Sequence, residues 1–109
     1  PYLNAQAAAG TAGEQVVEVT GYQWRWEIAP AEVRVGTPVL FRVRSGDVNH
    51  GFGIYHTDLR LVAQVQSMPG YTNTLRHTFD RAGTYRILCM EYCGTAHHGM
   101  ISDLRVLER

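Results

Sequence analysis

Val39-Leu40-Phe41-Arg42-Val43-Arg44 alternates in character: Val39, Phe41 and Val43 point one way, and Arg42 and Arg44 the other. Such alternation predicts a strand with one face on a core and one toward water. Gly36-Thr37-Pro38 before it and Ser45-Gly46-Asp47 after it are turn signals. The same short pattern recurs outward in both directions. Upstream, residues 16–20 and 22–28 read as a strand with an aromatic continuation, broken by Ala29-Pro30, and 32–35 is short and extended. Downstream, residues 51–55, 61–66, 75–79, 85–88 and 101–107 are further strand candidates, with turns at Met68-Pro69-Gly70 and at 80–83. No segment carries a sustained helical period with caps. The expected fold is all-β, an antiparallel sandwich or barrel in one domain with functional loops at its ends.

The totals agree. The chain has 109 residues, 45% of them hydrophobic, which suits one compact domain. Ten basic residues, all Arg, balance ten acidic ones. That leaves no basic footprint for nucleic acid, so none is expected as a partner. No run of apolar residues is long enough to span a membrane. Residues 4–13 are small, polar and featureless and read as a linker, so 1–14 is expected to be a linker or N-terminal tail and 15–109 the folded domain.

The chemistry concentrates in Cys89-Met90-Glu91-Tyr92-Cys93-Gly94-Thr95-Ala96-His97-His98-Gly99-Met100. Two thiols, an imidazole and a thioether fall in one loop, and Gly94 and Gly99 let it fold tightly. Soft sulfur with imidazole suits copper, zinc or iron–sulfur chemistry. The thioether favours copper, because zinc sites rarely use one. A second histidine is expected from elsewhere, and His50, just after the alternating strand, is the best candidate. A disulfide between Cys89 and Cys93, and a zinc site made of His50, Cys89, Cys93 and His97, are competing readings of the same residues. A mononuclear blue copper site needs only one cysteine, so the second argues against it.

These residues resemble the soluble domain of cytochrome c oxidase subunit II. The likeness rests on Asp47-Val48-Asn49-His50-Gly51-Phe52, on Thr78-Phe79 with Gly83-Thr84-Tyr85, on Tyr22-Gln23-Trp24-Arg25-Trp26, and on Cys-x3-Cys-x3-His-x2-Met. It implies a cupredoxin-like Greek-key β-sandwich holding two copper ions, the binuclear copper A centre. Cys89 and Cys93 would bridge both ions. His50 and His97 would each bind one. Met100 would be a weak ligand to one copper and the Glu91 carbonyl to the other. Trp24 matches the aromatic residue that receives electrons. The Glu91 side chain matches a carboxylate that helps hold magnesium at the boundary with the catalytic subunit. The implied partners are cytochrome c or another small redox donor, and the catalytic haem–copper subunit I. The implied place is the periplasmic face of the membrane. The family's anchor of one or two helices is missing from these residues, and this chain is expected to be soluble. A haem–copper nitric oxide reductase could use the same domain, and a copper delivery or storage module is the other reading.

Other residues carry plainer expectations. His98 should face solvent, His77 should pack in the core as a hydrogen-bonded histidine, and His56 should be exposed. Met68 and Met90 should pack rather than bind metal. Trp24 and Trp26, two apart on one presumed strand, should share a face. The segment between Trp26 and Val33 is short, which is expected to alter the donor's docking surface. Net neutrality gives no evidence of long-range steering, although Glu14, Glu18 and Glu27 could form a local acidic patch.

Overall fold

The computed structural model describes residues 13–109. The expected tail lies outside the described residues except for Gly13 and Glu14. Nine strands follow in order: β1 Gln15–Tyr22, β2 Arg25–Ala29, β3 Glu32–Arg34, β4 Val39–Ser45, β5 His50–Tyr55, β6 Leu61–Ser67, β7 Asn73–His77, β8 Gly83–Cys89 and β9 Ile101–Leu107. Among the described residues the only helical element is a 3-10 turn at His97–Gly99.

The strands form a sandwich. One sheet has the order β2-β1-β4-β7 and the other β3-β9-β8-β5-β6. Most neighbours are antiparallel; β1 with β4 and β3 with β9 are parallel. The alternating stretch is the interior strand β4, and Val39, Phe41 and Val43 are fully buried as expected. Leu40, in the opposite row, is fully buried too. Alternation also continues beyond the end of β7, so that Leu75 and His77 are half-buried and Phe79 is buried.

Aromatic rings run through the core from one pole to the other. His50 meets Trp26, Trp26 meets Phe52, Phe52 meets Phe41, Phe41 meets Phe79, and Phe79 meets Tyr85, with centroids 4.9–6.4 Å apart. Most of these contacts are edge-to-face, the arrangement that sets a ring's positive edge on its neighbour's negative face. They lock both sheets to the strand that begins with His50.

The aromatic stretch 22–28 is not one strand. The chain reverses at Gln23-Trp24, and β1 and β2 pair antiparallel with Tyr22 opposite Arg25. Trp24 therefore sits in the turn, 39% exposed, whereas Trp26 enters the core. The expectation that they share a face fails because they are not on one strand. Gly21, opposite Trp26, makes room for it: a Cβ there would lie 2.9 Å from Trp26 Cζ3, 2.9 Å from Ser67 Oγ and 3.0 Å from His50 Cδ2.

Two antiparallel neighbours assemble the metal pole. Phe52 in β5 pairs with Cys89 at the end of β8, so His50, two residues earlier, projects to the level of the cysteine loop. The Met90 N–H donates to the Gly51 carbonyl at 2.8 Å and ties the loop to β5.

Candidate metal centre

The two thiols form the middle of the site, with Cys89 Sγ and Cys93 Sγ 3.5 Å apart. Cys89 Sγ lies 3.8 Å from His50 Nδ1 and 3.0 Å from the Glu91 carbonyl oxygen. Cys93 Sγ lies 3.5 Å from His97 Nδ1 and 3.8 Å from Met100 Sδ. Each sulfur thus has one imidazole nitrogen and one weaker donor as neighbours. All six residues named from the sequence meet here, Glu91 through its carbonyl. The Glu91 side chain is on an exposed residue, and no ionic partner accompanies it among the described residues.

Burial sorts the donors. His50 and Met100 are fully buried and Cys93 nearly so, while Cys89 and His97 are half-buried. His50, Cys89 and Cys93 place their donor atoms within 4.8 Å of one another, and His97 falls outside that group. Both cysteines are free thiols. Burial pushes the Cys93 thiol up to about 12, helped by its hydrogen bond to Cys89 and by the nearby charges of Cys89 and Asp47. Soft thiols, neutral imidazole nitrogens and a thioether are a donor set for copper, and a metal that binds them must displace the thiol protons.

The hydrogen-bond partners that hold these donors, Asp47 and Gln23, stood in the quoted motifs without an assigned role. Asp47 Oδ1 lies 2.9 Å from His50 Nε2 and accepts from the Val48 N–H at 2.6 Å; Asp47 Oδ2 accepts from the Gln23 N–H at 2.7 Å. With Nε2–H donating to Asp47, the Nδ1 lone pair of His50 faces the sulfurs. Burial raises the Asp47 pKa, but the hydrogen bonds from Gln23, His50 and Val48, with the attraction of His50, outweigh it and lower the pKa on balance. Gln23 Nε2 and Trp24 Nε1 both donate to the Cys93 carbonyl, at 2.9 and 3.3 Å. The β1–β2 turn therefore grips the cysteine loop. Gly94, at φ +126°, permits this: a Cβ there would lie 3.0 Å from the Trp24 ring. The sequence signal for Asp47 is its place three residues before His50; Gln23 had none beyond its aromatic neighbours.

The remaining expectations divide. His98 is exposed, its ring 5.1 Å from that of His97. Met90 packs over Gly51 and Gly53, where a Cβ would come within 2.8 and 2.6 Å of its side chain, and Tyr55 Oη donates to its sulfur at 3.0 Å. His77 packs half-buried against Phe79. His56 is not exposed: its side chain is 17% accessible, packed edge-on against Tyr85 and paired with Asp58. The acidic patch does not form, because Glu14 pairs with Arg76, Glu18 with Arg42 and Arg44, and Glu27 with Arg25.

A β-sandwich with two cysteines, two histidines and a methionine at one pole defines the class: a soft-metal-binding domain of the cupredoxin type. The chain belongs to the family of cytochrome c oxidase subunit II, periplasmic domain, whose model matches residues 28–106. It is similar to cytochrome c oxidase subunit 2 of Thermus thermophilus, 37% identical over 105 residues, covering 95% of this chain and 75% of that protein. A second Thermus thermophilus protein of that name is also 37% identical, and the chain spans 60% of its length. Among solved structures, a chain of a heme-copper terminal oxidase dimer superposes with a TM-score of 0.71 at 28% identity, covering 90% of this chain and 68% of that one. The periplasmic domain of subunit II of the oxidase of Bradyrhizobium japonicum shares the fold, with a TM-score of 0.74 at 20% identity and 86% and 84% coverage. This is the periplasmic domain of a subunit II, of the kind that binds copper and serves electron transfer. Among the described residues no helix is long and apolar enough to cross a membrane.

Proposed function

We propose that this domain holds a binuclear copper A centre and relays single electrons from a small redox protein, such as cytochrome c, to the haem–copper subunit I of a membrane oxidase. Residues 15–109 are the working unit, and 1–14 tether it toward an anchor at the periplasmic membrane face. The observation that carries this reading is the donor arrangement: two thiols at the centre, with a nitrogen and a weak donor beside each. A single tetrahedral zinc ion would need all four of His50, Cys89, Cys93 and His97 mutually within about 4 Å. His97 stands outside the compact group, which favours two metal positions over one.

When bound, the copper pair supplies a site that takes up and gives up one electron without bond chemistry. The protein's part is to hold the donors still. Cys89 and Cys93 would be shared by the two ions, His50 with the Glu91 carbonyl would serve one, and His97 with Met100 the other. Asp47 fixes the His50 tautomer, and such outer hydrogen bonds hold a ligand's orientation. Buried His50, Cys93 and Met100 exclude water from the inner side. Strands β5 and β8 anchor His50 and Cys89 in a ladder that cannot slide without breaking the core. Trp24, half exposed and hydrogen-bonded to the Cys93 carbonyl, is the proposed electron entry. The Glu91 carboxylate, free of the site, is the proposed magnesium contact at the subunit boundary.

Titration of the reduced apoprotein with copper tests the reading. Saturation at two coppers per chain with a purple product supports it. Saturation at one copper with an intense blue product, or preference for one colourless zinc, overturns it.

A further inference from the structure

The outer face of β5 is a trough. His50, Phe52 and Ile54 are fully buried on the core side, so Gly51, Gly53 and Tyr55 line the other side of the strand. Gly53 pairs with Leu88 on one neighbouring strand and Gln64 on the other, and its missing side chain leaves a slot between them. Met90 fills that slot. A Cβ on Gly53 would lie 2.6 Å from both Cγ and Sδ of Met90. One on Gly51 would lie 2.8 Å from Met90 Cβ and 3.1 Å from the Glu91 nitrogen. At the near end the Met90 N–H donates to the Gly51 carbonyl at 2.8 Å. At the far end Tyr55 Oη donates to Met90 Sδ at 3.0 Å.

Chain position gives this fit a consequence. Met90 joins Cys89 to Glu91, and Gly51 directly follows His50. The residue between two donors of one half of the site is thus pressed onto the strand that carries the third. Cys89 Sγ lies 3.8 Å from His50 Nδ1 and 3.0 Å from the Glu91 carbonyl oxygen, and the seat of Met90 holds both spacings. The other half has a different grip, the Gln23 and Trp24 N–H groups on the Cys93 carbonyl. An unbranched thioether with three rotatable bonds fits a narrow slot, and the Tyr55 hydroxyl selects one of its rotamers.

Resting on the copper A reading above, we propose that Met90 is a positioning residue: seated on Gly51 and Gly53 and latched by Tyr55, it fixes Cys89 and the Glu91 carbonyl against His50, and so sets the copper affinity and the reduction potential of the centre. Its own sulfur is engaged by Tyr55 on the outer face and is not a metal donor. The carbonyl oxygen is the hardest donor of the set and favours the oxidised pair. Loosening it weakens the oxidised state more than the reduced one and raises the potential.

Met90→Ala and Gly53→Ala test this from opposite sides, one emptying the slot and the other expelling Met90 from it. Each should lower copper affinity about tenfold in a chelator competition. Voltammetry should show the potential raised by about 59 mV for each tenfold by which the oxidised pair loses more affinity than the reduced pair. Gly53→Ala displaces only a flexible side chain, so its apoprotein should unfold in urea close to the parent. In both apoproteins the amide of residue 90 should exchange faster than in the parent, a readout independent of copper. Met90→Leu and Tyr55→Phe keep the packing and break the latch. Each should cost about threefold in affinity, and the double variant no more than either alone, because both remove one hydrogen bond. Alanine variants with the parent's affinity and potential overturn the proposal. So does a loss of affinity with an unmoved potential, which would make Met90 packing alone, and so do latch losses that add. A parent chain that never takes up two coppers overturns the copper A reading, whereas a two-copper parent with unmoved variants overturns only the role of Met90.

Discussion

Asp47 Oδ1 and His50 Nε2 are 2.9 Å apart, and this contact decides which nitrogen of a fully buried imidazole faces the two cysteine sulfurs. Two backbone N–H groups, of Gln23 and Val48, hold the same carboxylate in place. One aspartate therefore joins the exposed β1–β2 turn to the innermost of the proposed ligands.

Removing that carboxylate should weaken the site rather than the fold. Asp47→Ala should lower copper affinity about 10- to 100-fold, the usual cost of losing an outer hydrogen bond to a ligating histidine. Asp47→Asn, which keeps an acceptor oxygen, should lose less. Competition titrations against a chelator of known affinity measure both. Equal affinity in all three proteins would mean that the contact does not orient His50.

Cys93 and Met100 should respond differently to substitution. Cys93→Ser removes a central sulfur and should abolish the purple product. Met100→Leu changes little volume in the core and should cost less than about 1.5 kcal/mol of stability. It should keep two coppers and shift the reduction potential, as read by voltammetry. Loss of copper binding in Met100→Leu would make the thioether a principal ligand instead of a weak one.

Gly21→Ala tests the packing that admits the aromatic turn. Its Cβ would press on Ser67, Trp26 and His50 at 2.9–3.0 Å. Overpacking of this kind typically costs about 1–3 kcal/mol. Urea unfolding of the apoprotein should show that loss. An unchanged midpoint would mean that Trp26 can shift at no cost.

His77 sets a pH dependence remote from the proposed copper ligands. Burial lowers its pKa from 6.5, partly countered by the charge of Asp80. The folded state therefore prefers the neutral ring. That contribution is fully present above 6.5 and is lost as pH falls through the lowered folded value. Apoprotein stability should decline on acidification through this window, and the decline should be shallower in His77→Gln. Parallel curves for the two proteins would remove His77 as its source.

The site was more legible in the sequence than the fold around it, because local spacing carries different information from long-range contact. The cysteine loop holds five of the six ligand candidates within twelve positions, so residue type and spacing were enough to nominate them. Strand β4 was legible from its alternation. The β1–β2 turn was not: Gln23-Trp24 lacks the Gly or Asn that usually signals a tight hairpin, and its aromatic run imitates a continuous strand. Asp47 was visible in the motif, but its hold on Gln23 spans 24 positions and exists only once β1 lies beside β4. The burial of His56 against Tyr85 and the pairing of Glu14 and Glu18 with arginines depend in the same way on strands brought together by the fold, whereas the Glu27–Arg25 pair is local to β2.

The central claim is one electron shared by two copper ions between Cys89 and Cys93. Paramagnetic resonance of the copper-loaded, one-electron-oxidised chain tests it most directly. The expected spectrum carries the hyperfine pattern of an unpaired electron divided equally between two copper nuclei. A pattern from a single copper nucleus would contradict it, whatever the colour of the protein.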